Sequence, residues 1–138
     1  MLKIYKASAG SGKTFTLTRE YIKMLLGVKD DSGKYKLIEN REKAQRHILA
    51  ITFTNKATEE MKQRIIKELS ILASEPDKCN LINYLIDDLQ TNDFDKIKRA
   101  AKNALYSILF NFSSFNISTI DSFFQQILRT FAFDIDRN

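Results

Sequence analysis

The sequence predicts an α/β fold, a parallel sheet of about three strands with flanking helices, and three observations carry that reading. Short β-favouring runs alternate with longer amphipathic stretches. Residues 7 to 14, Ala-Ser-Ala-Gly-Ser-Gly-Lys-Thr, form a loop of small residues between the first apolar run and the first helical pattern. Residues 48 to 53, Ile-Leu-Ala-Ile-Thr-Phe, are apolar and β-favouring almost without interruption, the pattern of a strand buried on both faces. With 138 residues, 43% of them hydrophobic, the chain is at most one domain with a real core.

The first strand is read over residues 2 to 6. The helix after it runs from about residue 14 to residue 26, with Phe15, Tyr21, Ile22, Leu25 and Leu26 at helical spacing and Gly27 as its stop. Residues 28 to 46 are mostly charged and hold the turn signal Asp31-Ser32-Gly33, so they read as a surface loop. After the strand at 48 to 53, Thr54 or Asn55 can cap a helix beginning near Ala57. Its buried stripe is Met61, Ile65, Leu69 and Leu72, and Pro76 ends it. Two helices follow. One turns Leu81, Ile82, Leu85, Ile86 and Leu89 inward; the other turns Phe94, Ile97, Ala101, Ala104, Leu105, Ile108, Leu109 and Phe112. A third strand is expected around residues 115 to 120, where Ile117 and Thr119 favour extended geometry. Asp121 or Ser122 then caps a last helix that buries Phe124, Ile127, Leu128 and Phe131 and exposes Arg129.

The loop at 7 to 14 makes this a nucleotide-binding chain. A polyphosphate crowds negative oxygens together, and a ring of backbone N–H groups at the positive end of a helix holds them well. Gly10 and Gly12 can take the torsions of a tight phosphate nest, while Ala7, Ser8, Ala9 and Ser11 add no bulk. Lys13 can reach the outer phosphates, and the Thr14 hydroxyl is placed to ligate Mg²⁺. The residues set against the nucleotide are Ala9, Gly10, Ser11, Gly12, Lys13, Thr14 and Phe15. Ala7 stands where the strict pattern has glycine.

A net charge of +5 and a pI near 9.3 suit binding to phosphate polymers. Lys56, Lys62, Arg64 and Lys67 crowd one helix and Asp87, Asp88, Asp93 and Asp95 another segment, both read as solvated faces. The single cysteine, Cys79, excludes an internal disulfide and, with His47 the one imidazole, a zinc-ligand set. Cys79 reads as a half-buried helix residue and His47 as a residue leading into a strand. No apolar run approaches the roughly 20 residues of a membrane span. Residues 1 to 6 alternate charge with apolar side chains, unlike a signal peptide, so a cytoplasmic location is expected.

Three segments together resemble the UvrD/RecB-type superfamily 1 helicases. They are the loop at 7 to 14, the block Ile51-Thr-Phe-Thr-Asn-Lys-Ala57 with Glu60-Met61 and Arg64, and the block Ser118-Thr-Ile-Asp-Ser-Phe-Phe124, resembling motifs I (the Walker A loop), Ia and Ib. The Ala-Ser-Ala-Gly opening leans toward the RecB and AddA branch of helicase–nucleases. The resemblance implies a partial RecA-like P-loop NTPase domain in a motor that uses ATP and Mg²⁺ to move along single-stranded DNA, in recombination and repair. It sets Phe53, Thr54, Asn55 and Lys56, and again Thr119, Asp121, Ser122 and Phe123, against the DNA strand. An aromatic such as Phe53 or Phe123 can stack on a base; the alternative is that both are core. Many relatives carry His where Asp121 stands, and an acid there repels phosphate unless it caps the last helix or accepts a hydrogen bond.

Phosphoryl transfer to water also needs an acidic pair to hold Mg²⁺ and arginines to neutralise charge. No apolar strand here ends in Asp-Glu, and Asp87-Asp88 reads as a solvated pair on a helix. Residues 1 to 138 therefore read as the N-terminal fragment of a helicase domain, expected to bind nucleotide without turnover and DNA weakly. Its partners are the remaining helicase domains, with self-association through exposed sheet edges and no membrane. Two other classes remain open: a small P-loop nucleotide-dependent transferase, with Arg41 and Arg46 as the lid arginines, and a non-motor single-stranded DNA-binding or assembly module.

Overall fold

The computed structural model describes residues 11–41 and 43–137. The expected strand at 2 to 6 and the loop residues Ala7, Ser8, Ala9 and Gly10 lie outside the described residues.

Helix α1 spans Ser11–Leu26, beginning earlier than the periodicity indicates because the last residues of the loop already form its first turn. It buries Leu17, Tyr21, Ile22, Leu25 and Leu26. Residues 28 to 46, expected as a surface loop, contain an antiparallel hairpin of β1 (Gly27–Lys29) and β2 (Tyr35–Leu37). Its turn is held by the Asp30 carboxylate, which accepts from Ser32 N at 2.9 Å and Lys34 N at 3.0 Å, while Gly33 takes φ +87°. Those hydrogen bonds, led by the one from the Ser32 hydroxyl, lower the pKa of Asp30. The strands are three residues long and carry Lys29 and Lys36, so their composition imitates a loop. Leu37 enters the core, 3% exposed, with Gly27 buried opposite it and Tyr35 packed against the core's edge.

Arg41 ties the hairpin to α1. Its Nη1 donates to Met24 O and, at 2.8 Å, to Gly27 O, satisfying carbonyls that the end of a helix leaves unpaired. These bonds hold Arg41 Nη1 at the end of α1. Arg41→Ala is expected to lower stability by about 1.5–3 kcal/mol, the scale of hydrogen bonds to a charged group. Urea denaturation of the two proteins measures it.

Helix α2 (Asn55–Ser74) is the centre of the fold. It packs along α4, against α1 and beneath β3 and β4, and buries the expected Met61, Ile65, Leu69 and Leu72. Pro76 opens a short 3-10 turn, Pro76–Lys78, whose cap is Cys79; the cysteine is buried and extended, neither helical nor half-buried. Helices α3 (Ile82–Asp88) and α4 (Phe94–Phe110) follow. Along α4 the buried face is Ile97, Ala100, Ala101, Ala104 and Ile108, whereas Phe94 and Leu109 are exposed, as is Phe112, which lies past the helix in the 3-10 turn Phe112–Ser114. Small residues let α4 approach α2 closely, and the large side chains at its ends fall beyond that contact.

Strand β3 (Ala50–Thr52) pairs in parallel with β4 (Ile117–Thr119), both shorter than expected. Among the described residues the parallel sheet has these two strands; the other expected strand, at 2 to 6, lies outside them. Helix α5 (Ile120–Arg137) touches the ends of β3 and β4. Its apolar stripe does not enter the core: Phe124 is 55% exposed, Ile127 46%, Leu128 64% and Phe131 64%. Periodicity reveals that a helix face is apolar; whether anything lies over it is a tertiary fact.

Candidate nucleotide and nucleic-acid sites

Because β3 and β4 run in parallel with Thr52 opposite Thr119, their carboxyl ends lie side by side. The chain leaves β3 through Phe53 and Thr54 into α2 and leaves β4 directly into α5. Phe53, Thr54, Asn55 and Lys56 are thereby gathered at one sheet edge with Thr119, Asp121 and Ser122. Two helix N-termini open at the same edge, each the positive end of a dipole.

The first connection is locked from beneath. The hydroxyls of Thr52 and Thr58, both buried, lie 2.5 Å apart, and each is 3.2 Å from the carbonyl oxygen of Thr54. Thr54 caps α2, its hydroxyl accepting from Ala57 N at 3.0 Å. With its backbone held on one side and its ring not needed in the core, Phe53 stands 49% exposed beside exposed Asn55 and Lys56. On the other strand, Thr119 is the cap expected of Asp121 or Ser122. It is 8% exposed, and its hydroxyl accepts from Ser122 N at 3.2 Å and lies 3.0 Å from Ser122 Oγ. Asp121 is exposed in the first turn of α5, where a negative charge suits the helix dipole. Phe123 is half-buried, tilted against Phe124.

Ser11, Gly12, Lys13 and Thr14 form the first turn of α1. Lys13 is exposed and Thr14 half-buried; the carbonyl of Thr14 accepts from the Thr18 hydroxyl at 2.8 Å. The Phe15 ring packs edge-on against Tyr84 at 5.4 Å, leaving its backbone as the part near the helix start. Ala9 and Gly10 lie outside the described residues.

Asp87 and Asp88 part company. Asp87 is exposed, but the Asp88 side chain is 14% exposed and holds Arg19 in a two-pronged pair at 2.8 and 2.9 Å, with the guanidinium over Tyr84. The hydrogen bond to Asp88 raises the pKa of Arg19. This pair fastens α3 to α1, so Asp88 is not the solvated residue its sequence suggests. Among the described residues no group of three or more His, Cys, Asp or Glu could hold a metal ion, and no helix is long and apolar enough to cross a membrane.

Sequence reasoning missed the Thr52–Thr58 hydroxyl pair. The signal for it was present: two β-branched hydroxyls flanking a strand-to-helix turn, one at the inward position of each element.

The model of the UvrD/REP helicase N-terminal domain matches residues 4–138. The RecBCD enzyme subunit RecB of Buchnera aphidicola subsp. Acyrthosiphon pisum is 34% identical over 135 residues, 96% of this chain and 11% of that protein. An ATP-dependent helicase/nuclease subunit of Lactobacillus gasseri is 34% identical over 134 residues, 96% of this chain and 8% of that protein. The RecBCD enzyme subunit RecB of Escherichia coli is 38% identical over 72 residues, 50% of this chain and 6% of that protein. The chain thus spans about a tenth of the length of these curated relatives. No solved structure matches it. With nearly every residue inside the family match and the strand-end blocks arranged on one sheet edge, the chain belongs to the UvrD/REP helicase N-terminal domain family.

Proposed function

We propose that residues 1–138 are the N-terminal part of a RecA-like ATP-binding domain in a DNA helicase or helicase–nuclease of recombination and repair, acting in the cytoplasm. The observation that carries the reading is the parallel register of Thr52 and Thr119, which brings two stretches distant in sequence to one edge beside an exposed aromatic ring. There Phe53 offers a base-stacking face, and Lys56, Asn55 and the Ser122 hydroxyl offer groups that pair with phosphate. Thr54 and Thr119 use their hydroxyls as helix caps and act by holding the strand-binding edge in shape. Single-stranded DNA is the partner, bound weakly because this edge is only part of a longer track.

The nucleotide reading fits the start of α1. A helix that opens on Ser11-Gly12-Lys13-Thr14 presents backbone N–H groups and an exposed ammonium to anionic oxygens. Mg²⁺ with a triphosphate needs few protein ligands, and the Thr14 hydroxyl is a sufficient one, with phosphate and water completing the shell. Ala9, Gly10 and the backbone of Phe15 belong to the same cradle.

Isothermal titration with Mg²⁺-ATP tests this: binding is expected, weakened at least tenfold by Lys13→Ala, and no phosphate release. Robust ATPase activity in these 138 residues, lost in Lys13→Ala, would show a complete motor and overturn the half-site reading. The apolar stripe on α5 is where the remaining helicase domains would dock. Alone, the chain is expected to self-associate through that stripe as well as through strand edges. The transferase reading loses ground because Arg41 is committed to Met24 and Gly27.

A further inference from the structure

We propose, resting on the reading of the Phe53 edge as the strand-binding surface, that the buried hydroxyl pair of Thr52 and Thr58 positions the turn carrying Phe53 so that its ring stands ready for a base of single-stranded DNA. Neither threonine touches the strand. Both are positioning residues, acting through the carbonyl of Thr54.

Phe53 stands between two residues that are each held. Thr52 ends β3 and is 1% exposed. Thr54 has an extended backbone, φ −132° and ψ 154°; its hydroxyl accepts from Ala57 N, and its carbonyl oxygen accepts from Thr58 N at 3.1 Å. A capped helix start supplies those bonds in many proteins. What is particular here lies beneath the same carbonyl, where the Thr52 and Thr58 hydroxyls are each 3.2 Å from it and 2.5 Å from one another.

Counting protons shows what the pair does. Two hydroxyls own two protons, and the bond between them takes one. If Thr52 donates to Thr58, the Thr58 proton is left for Thr54 O; if Thr58 donates to Thr52, the Thr52 proton is left for it. Either orientation braces the turn. The Ser118 carbonyl, 3.5 Å from the Thr52 hydroxyl, is the weakest of its acceptors, so the brace belongs to the connection from β3 to α2 and not to the end of β4.

Stability alone does not call for such a pair. Two hydrogen-bonded groups replaced by apolar groups of the same shape leave a fold nearly as stable, and valine has the shape of threonine. Binding does gain from it. With the peptides on both sides fixed, the half-exposed ring of Phe53 keeps only its side-chain torsions, and less freedom is lost when a base stacks on it.

Thr52→Val/Thr58→Val removes both hydroxyls and keeps both shapes. Fluorescence-anisotropy titration of the full 138-residue chain with a labelled single-stranded oligonucleotide, beside urea denaturation of the same proteins, tests it. The urea midpoint is expected to stay near the parent's while affinity falls by about threefold to tenfold, the scale of ordering one side chain. Thr52→Ser/Thr58→Ser, which keeps both hydroxyls, should recover that affinity. Thr58→Val alone, in which a single hydroxyl must hold the carbonyl, should fall between parent and valine pair and carries the test if the pair does not fold. In a Phe53→Ala background the valine pair should cause no further loss, whereas its effect should add to that of Ser122→Ala at the other strand end. Unchanged affinity in the folded valine variants, with Phe53→Ala weakening binding, overturns the positioning role and leaves the edge reading standing. Unchanged affinity in Phe53→Ala overturns both. An affinity that merely follows the folded fraction means that the hydroxyls serve the fold alone, which also overturns the positioning role.

Discussion

Leu69→Ala is expected to destabilise the fold by about 2–5 kcal/mol, a large share of the 5–15 kcal/mol that holds a typical domain together. Leu69 lies on α2, the helix that packs against α4, α1 and the parallel sheet, and is fully buried with Ile65 and Leu72 on the same stripe. Shortening it removes transfer energy and leaves a void, because α2 is packed against both α1 and α4 and cannot collapse freely around the missing atoms. Leu128→Ala is the control. It removes the same atoms from α5, where the side chain is 64% exposed, and at protein concentrations too low for self-association it should change stability by no more than about 0.5 kcal/mol. Urea denaturation of both variants decides the matter. An equal loss in the two would mean that the α5 stripe is covered in solution.

That contrast marks the limit of what the residues alone disclose. The α2 stripe of Met61, Ile65, Leu69 and Leu72 was legible because helical periodicity and burial coincide in a helix packed on several sides. The α5 stripe has the same spacing and comes out exposed, since burial depends on what lies opposite. Strand β3 was legible from its unbroken apolar run, and β4 from its β-branched residues, yet their ends frayed earlier than composition indicates. The hairpin was not legible: three-residue strands rich in lysine carry no alternation to read, and the tie through Arg41 joins a side chain to carbonyls that no sequence pattern advertises. At the candidate site, the placement of Phe53, Asn55 and Lys56 at a strand end followed from the turn chemistry around Thr54. The meeting of that turn with Thr119 depends on long-range parallel pairing. The hydroxyl of Thr119 proved to be the cap assigned to its neighbours, a difference of one turn geometry that spacing does not resolve.

Cys79→Ala is expected to cost about 1–3 kcal/mol near neutral pH and progressively less as pH rises above 9. The Cys79 thiol is 3% exposed and donates to the Glu68 carboxylate at 3.1 Å, Glu68 being itself only 8% exposed. Removing the sulfur takes away a donor that the structure places on a buried acid. Burial, and then the hydrogen bond to Glu68, push the thiol pKa from 9.0 up to about 12. A raised folded-state value means that the native protein holds this proton more tightly than the unfolded chain does. The stabilisation is therefore complete below pH 9, where both states are protonated, and is lost as pH climbs toward 12, where the unfolded thiol ionises first. Comparing the parent with Cys79→Ala at each pH cancels the tyrosines and lysines that titrate in the same range. The gap between their urea midpoints should narrow steadily from pH 8.5 upward. Cys79→Ser, which keeps a donor, should recover part of the loss at pH 7 yet show no such narrowing, because its hydroxyl does not ionise there. A constant gap between parent and Cys79→Ala across that range would mean that the thiol titrates alike in both states, and that α2 and the turn after it are joined by packing alone.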